Sequence, residues 1–349
     1  MSDEIPRLAS AESREEIIKT VIPLEYASLR LDAALVKMFP EYSRSRLQQW
    51  IKAGHVLLDN QQPRARDKVI GAETVELRIE PDMCNQDVIA QDIALDIVYE
   101  DRDILVINKA VGMVVHPAAG HADGTLQNGL LYYDDRLHEV PRSGIVHRLD
   151  KDTSGLMVVA RNIRAHKQLV EQLQARTVHR EYQAIVLGLM TAGNTIDLPI
   201  GRHGRDRKRM AVKPEGKEAI THYRVLDRYR GHTRVKVKLE TGRTHQIRVH
   251  MAQIRHPLVG DQTYGGRLQI PAGTGGELKE MLRGFNRQAL HAGKLGLIHP
   301  ASGEEMSWKA GLPEDMKQLI AALQTDIEAA HTSDEDDIYE AYMGEYTDE

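Results

Sequence analysis

Short β-type runs separated by polar loops recur from residue 95 to residue 298, without the strand–helix–strand rhythm of a parallel sheet. Leu95 to Tyr99 and Ile104 to Asn108 flank Asp101-Arg102-Asp103, a hairpin pattern. Leu156 to Ala160 is a continuous apolar run, as in a strand buried on both faces. Tyr182 to Leu187, Val235 to Leu239 and Leu295 to Ile298 read as further strands. Thr233 to Leu239 alternates, setting Arg234, Lys236 and Lys238 on one face. Thr125 to Tyr133 and Arg164 to Arg176 have helical spacing. These patterns predict an α+β fold around a mixed, largely antiparallel sheet.

A smaller unit precedes this one. Leu29, Leu31, Ala34, Leu35 and Met38 form an apolar stripe that Pro40 ends. Ser43 then reads as the N-cap of a second helix through Ala53, stopped by Gly54. Arg44, Arg46 and Lys52 lie on that helix, and the runs 56–58 and 74–79 read as strands. The expected division is a flexible lead (1–20), a small α/β domain (21–83), a linker (84–93), a large domain (94–330) and an acidic tail (331–349).

Charge is segregated along the chain. The net charge is −5, yet residues 333–349 carry eight acids and no base, and residues 1–19 carry a net −2, so residues 20–332 are left with +5. A mildly basic body with acidic ends is compatible with a polyanionic partner. The single cysteine, Cys84, excludes an intrachain disulfide and a cysteine-based zinc cluster. No apolar run reaches the roughly 18 residues of a membrane helix, and the start lacks a secretory pattern. A cytoplasmic protein with no membrane association is the expectation. Gly-rich phosphate loops are absent as well, so no nucleotide cofactor is indicated.

Three segments could carry chemistry. Gly144-Ile145-Val146-His147-Arg148-Leu149-Asp150-Lys151-Asp152-Thr153-Ser154-Gly155 is a polar loop feeding the buried run at 156–160. Asp150 and Asp152 are both candidates there for nucleophile or acid/base. In Glu240 to Met251, His245 and His250 are five apart, which sets them on opposite faces of a strand and about 140° apart on a helix. No metal site is expected from them. On a strand, Arg243, His245 and Ile247 would share one face and Gln246, Arg248 and His250 the other; either arginine could pair with a carboxylate or a phosphate. Arg202 to Glu218 holds seven bases against three acids. Arg205, Arg207, Lys208 and Arg209 make this stretch a candidate mobile arm for phosphates.

His147-Arg148-Leu149-Asp150-Lys151-Asp152-Thr153-Ser154-Gly155 resembles the signature loop of the RluA-type pseudouridine synthases. Arg180-Glu181-Tyr182 and Gly242-Arg243-Thr244-His245-Gln246-Ile247-Arg248 resemble the second and third motifs of that family, in the right order. Residues 24–80 resemble the S4 RNA-binding domain. Together with His256 to Asp261 and Gln288 to Ala292, the pattern is most similar to members acting on large-subunit ribosomal RNA.

The resemblance implies a catalytic domain of the pseudouridine synthase fold behind an S4-like domain, acting as a monomer on rRNA or an assembling large subunit. Target uridines in the helix 69 stem-loop are implied. Asp150 would be the essential aspartate. Arg148 would enter the RNA where the uridine leaves, and Tyr182 would stack on the extruded base. Arg248 would pair with Asp150 and hold it ionised, with Arg243 less suited to that role. Isomerisation breaks N1–C1′ and makes C5–C1′ with atoms and electrons balanced, so it needs no cofactor or metal. Extruding the base costs a few kcal/mol, offset by stacking worth roughly 1–3 kcal/mol. A non-catalytic ribosome-assembly factor and a sibling synthase acting on tRNA or another rRNA site are the competing readings.

Overall fold

The computed structural model describes residues 16–40, 42, 44–79, 88–117, 121, 123–206 and 208–344. Ser43, Cys84 and Arg207 lie outside these residues, as do the side chain of Arg46 and those beyond residue 330.

In the small unit, β1 (Glu16–Val21) precedes α1 (Leu31–Met38), α2 (Arg44–Ala53), β2 (Val56–Leu58) and β3 (Thr74–Ile79). The strands form an antiparallel sheet in the order β1-β3-β2. Leu31, Ala34 and Leu35 of α1 and Leu47, Trp50 and Ile51 of α2 recur at helical spacing and are buried together against Val56, Val75 and Leu77. Gly54 ends α2 with a φ of +88°, a left-handed conformation that glycine adopts without strain. The expectation that residues 1–20 form a lead is corrected from Glu16 onward. Strand β1 pairs along its whole length with β3, from Glu16 opposite Ile79 to Val21 opposite Thr74.

The large unit begins before residue 94. Asn128 Nδ2 donates to the Ile89 carbonyl at 2.7 Å, and Gln91 N–H donates to the Asn128 carbonyl at 3.0 Å. Residues 88–93, expected as linker, are therefore held against the large unit by hydrogen bonds to Asn128. Its strands are β4 (Ile97–Glu100), β5 (Ile104–Lys109), β6 (Ser154–Ala160), β7 (His179–Leu187), β8 (Asn194–Asp197), β9 (Ile200–Arg202), β10 (Met210–Val212), β11 (Ile220–Arg228), β12 (His232–Leu239), β13 (Leu290–Ile298) and β14 (Glu305–Lys309). Nine of them make one sheet in the order β4-β5-β6-β13-β7-β12-β11-β8, with β14 on β13. Pairing is antiparallel except between β6 and β13. The fold is thus α+β on a mixed, largely antiparallel sheet.

Helices cover this sheet: α3 (Leu126–Tyr133), α4 (Ile163–Gln174), α5 (Gln246–Gln253), α6 (Gly276–Gly284) and α7 (Glu314–Gly344). Thr125 and Asn128 form a reciprocal capping box at the start of α3, and Asn162 caps α4. β6 is buried along its whole length, as its unbroken apolar run requires. Leu105, Ile107, Met157 and Val159 enter one core with Tyr182 and Val237, while Leu156 and Val158 pack with Ala165 and Leu169 of α4. Helix α7 continues past residue 331, so the segment expected as a tail is helical to Gly344.

Candidate active site

The loop before β6 is anchored at both ends by glycine. At Gly144 (φ +77°) a side chain would stand 1.9 Å from the Ala160 carbonyl oxygen, and at Gly155 (φ +117°) 2.3 Å from that of Ala292. Only a residue without Cβ permits both the dihedral and the approach. Between them, the loop is held mainly through its backbone. Thr153 N–H closes a turn onto the Asp150 carbonyl at 3.0 Å, and Arg287 donates to the Asp152 carbonyl at 3.2 Å. Arg287 is itself gripped by both oxygens of Asp315, at 2.6 and 2.8 Å.

Lys109, at the end of β5, is buried and gave no sign in the sequence. Its Nζ donates to the carbonyls of Ala110 at 2.8 Å and of Met113 and Lys151 at 2.9 Å, tying the β5–α3 connection to the loop. Burial pulls its pKa down to about 8, against the attraction of Asp152 and Asp150. The folded value lies below the unfolded value of about 10.5. Between them the native lysine is neutral while the unfolded chain still binds the proton, so unfolding takes up a proton. The cost of burying the ammonium is present in full below about pH 8, and this group's contribution to stability rises with pH toward about 10.5. In denaturant titrations, the stability of the wild type is expected to gain with pH relative to Lys109→Met across that window. Parallel pH dependences would refute this origin.

Asp150 is mostly buried and faces a cavity of about 820 Å³, lined among others by Arg148, Arg180, Tyr182, Arg243 and His245. Its Oδ2 accepts from Arg248 Nη1 at 3.1 Å. Arg248 also donates from Nε and Nη2 to the two oxygens of Asp261, at 2.7 and 2.9 Å, a bidentate pair on a fully buried carboxylate. Burial works against the charge on Arg248, but Asp261 and Asp150 outweigh it and raise its pKa above the usual arginine value. The guanidinium lies 5.1 Å from the centre of the Tyr264 ring.

The segment around Arg248 departs from the strand considered for it. Residues 246–253 form α5, entered through His245 in the left-handed region at φ 56°. The turn is held by Gln246, whose Oε1 accepts from Thr241 Oγ1 at 2.8 Å and Arg243 N–H at 2.9 Å. These local contacts favour a helix where side-chain alternation allowed a strand. They also separate the histidines. His245 faces the cavity, while His250 is buried between Thr221 Oγ1 and the Leu198 carbonyl. Arg243 donates from Nε to the Glu218 carbonyl at 2.9 Å, and it is Arg248 that meets Asp150.

Tyr182 projects from β7 into the cavity and is 6% exposed; burial pushes its phenol pKa up. Arg180 is buried on the same strand, and its Nε has no hydrogen-bond partner among the described residues. Arg148 is exposed at the cavity wall, whereas Asp152 does not line it. His147 accepts from Val158 N–H at 3.1 Å, and burial lowers its pKa to about 3, so it stays neutral as a structural group.

The basic candidates outside the cavity fall into two sets. The arm expected to be mobile contains the β9–β10 hairpin. Arg205 and Lys208 are exposed, but Arg209 packs 5.3 Å from the Tyr264 ring centre. In the small unit Lys52 is exposed, and Arg44, exposed as well, pairs with the buried Asp32 at 3.0 Å. Among the described residues, one group has metal-ligand geometry: Asp101, Asp103 and His299. Asp101 there already accepts from the N–H groups of Asp103 and Ile104 and from the Tyr99 hydroxyl, so the cluster reads as a turn.

Sequence reasoning missed Asp261, Tyr264 and Lys109 as parts of the site. The acidic residue ending His256 to Asp261 was visible, but nothing local tied it to Arg248.

The sequence pattern of the RNA pseudouridylate synthases matches residues 103–253, and that of the S4 domain matches residues 29–63. Ribosomal large subunit pseudouridine synthase D of Xylella fastidiosa is 54% identical over 308 residues, covering 88% of this chain and 93% of the relative. The protein of that name from Pseudomonas aeruginosa is 54% identical over 329 residues, covering 94% and 99%. That from Salmonella typhimurium is 55% identical over 302 residues, covering 86% and 92%. Among solved structures, Human RNA Pseudouridylate Synthase Domain Containing 4 aligns with a TM-score of 0.52 at 26% identity, covering 66% of this chain and 93% of the other. With more than half of the aligned residues identical along nearly the whole length of those relatives, the chain belongs to the RluA-type RNA pseudouridine synthase family and is an enzyme of that class.

Proposed function

We propose that this enzyme converts uridines of large-subunit ribosomal RNA to pseudouridine, with the helix 69 stem-loop as its target. The observation that carries the chemistry is the Asp261–Arg248–Asp150 chain of ion pairs, ending on a carboxylate that faces the cavity beside Tyr182. The names of the relatives support the substrate.

In this reading the target nucleoside leaves its stack and enters the cavity, and Arg148 occupies the space it vacates. Tyr182 stacks on the uracil. Asp150 attacks C1′ or C6, or abstracts a ribose proton. N1–C1′ breaks, the uracil turns within the pocket, C5 bonds to C1′, and the proton on C5 is lost as N1 gains one. The ring needs walls to keep it while it turns, and Tyr182 and Leu290 supply apolar surface there. Arg205, Lys208 and Lys52 contact phosphates. No helix of the described residues is long and apolar enough to cross a membrane; we place the enzyme in the cytoplasm, as a monomer.

Mapping pseudouridines in RNA from a strain lacking the gene tests the substrate. Loss confined to the helix 69 loop is expected, with recovery on complementation. Loss in transfer RNA, or at another rRNA site alone, would overturn the assignment.

A further inference from the structure

We propose that His245 is a hydrogen-bond donor locked in one tautomer, presenting Nε2–H to a carbonyl oxygen of the uracil that reaches Asp150. This rests on the isomerase reading above and adds a residue to it.

The direction of the hydrogen bonds assigns the tautomer. Tyr264 Oη accepts from Met210 N–H at 2.8 Å and lies 2.8 Å from His245 Nδ1. Among the described residues, Nδ1 is the one acceptor this hydroxyl meets, so its proton points there. A neutral imidazole that accepts at Nδ1 carries its hydrogen on Nε2. Burial holds His245 below the ordinary histidine pKa despite the attraction of Asp150, so the neutral ring is the relevant form. Nε2 stands 3.9 Å from Asp150 Oδ1, beyond hydrogen-bond distance. Among the described residues, the donor thus faces the cavity without an acceptor, next to the carboxylate that meets the nucleoside.

The backbone supports a role in function. His245 is held at φ 56°, a conformation in which asparagine is more comfortable. A position serving only the entry to α5 would be met better by asparagine. The ring is also braced: the Arg209 and Arg248 guanidiniums lie 5.3 and 5.1 Å from the centre of Tyr264, and Tyr264 meets His245 edge to face at 5.7 Å. If Asp150 attacks C1′ or takes a ribose proton, the uracil leaves with negative charge shared by O2 and O4; if it adds to C6, the charge builds on O4. A preorganised donor stabilises it without changing its own protonation.

Two substitutions separate this role from a structural one. His245→Asn suits the left-handed backbone and keeps a group near Tyr264 but cannot reach the Nε2 position. His245→Gln is less suited to the backbone but carries an N–H to about that position. With rRNA from the deletion strain as substrate, His245→Asn is expected to lower the single-turnover rate about a hundredfold, and His245→Gln less than about tenfold. RNA affinity and melting temperature should be preserved in His245→Asn. Tyr264→Phe, which removes the lock, should fall between the two. A wild-type rate in His245→Asn, or equal losses in the two histidine variants, would overturn the proposal, and an unchanged rate in Tyr264→Phe would overturn the lock. If the wild-type enzyme itself forms no pseudouridine in this RNA, the substrate reading fails instead.

Discussion

Asp150→Asn is expected to lower pseudouridine formation below about a ten-thousandth of the wild-type rate while RNA binding persists. The substitution keeps the size of the side chain and removes its charge. An amide cannot act as the nucleophile or base that any of the three routes demands. The fold should tolerate the change. Asp150 makes one hydrogen bond to Arg248, and Arg248 keeps both bonds to Asp261. Binding is expected to survive because phosphate contacts supply most of the affinity for RNA, and Arg205, Lys208 and Lys52 remain. Mass spectrometry of derivatised rRNA gives the yield, and a gel-shift titration gives the affinity. Product at more than about a hundredth of the wild-type rate would remove Asp150 from the chemistry.

Arg248→Met should damage both stability and activity. It strands Asp261, whose side chain has no exposure to solvent, next to an apolar thioether. Leaving one partner of a buried ion pair uncompensated costs about 3–5 kcal/mol, which a denaturant titration resolves easily. Activity should fall with it, because Asp150 loses the cation at 3.1 Å. The double variant Arg248→Met with Asp261→Asn separates the two effects. An amide oxygen at residue 261 still accepts the N–H groups that now bond to Asp261 Oδ1, from Thr263 at 2.9 Å and Tyr264 at 3.0 Å. Most of the lost stability should return while activity stays low. A double variant as unstable as Arg248→Met would show that packing around the guanidinium, rather than a stranded charge, sets the cost.

What could be read along the chain was local. The apolar stripes of α1 and α2, the unbroken run of β6 and the hairpin of β4 and β5 are patterns within one element. Each is set by a period of about 3.6 or 2 residues and by the side chains that end it. The exceptions come from the same rule. Residues 246–253 allowed a strand by alternation, but Gln246 bonding back to Thr241 and the Arg243 N–H favours a helix entered through a left-handed histidine. Strand β1 escaped notice because Ile17-Ile18-Lys19-Thr20-Val21, though rich in β-branched residues, is short and does not alternate, and pairing with β3 supplies its order.

The sequence by itself determined the class of fold, the two-part organisation and the loop that carries Asp150. Those depend on neighbours in the chain and on a motif of adjacent residues. Only the tertiary structure decided that Asp261 and Tyr264 stand behind the Asp150–Arg248 pair that the resemblance implied, and that Lys109 anchors its loop. Asp150 and Arg248 are 98 residues apart, and Lys109 and Lys151 are 42 apart. Such groups meet because β5, β6 and α5 pack around one core, and no period along the chain records that.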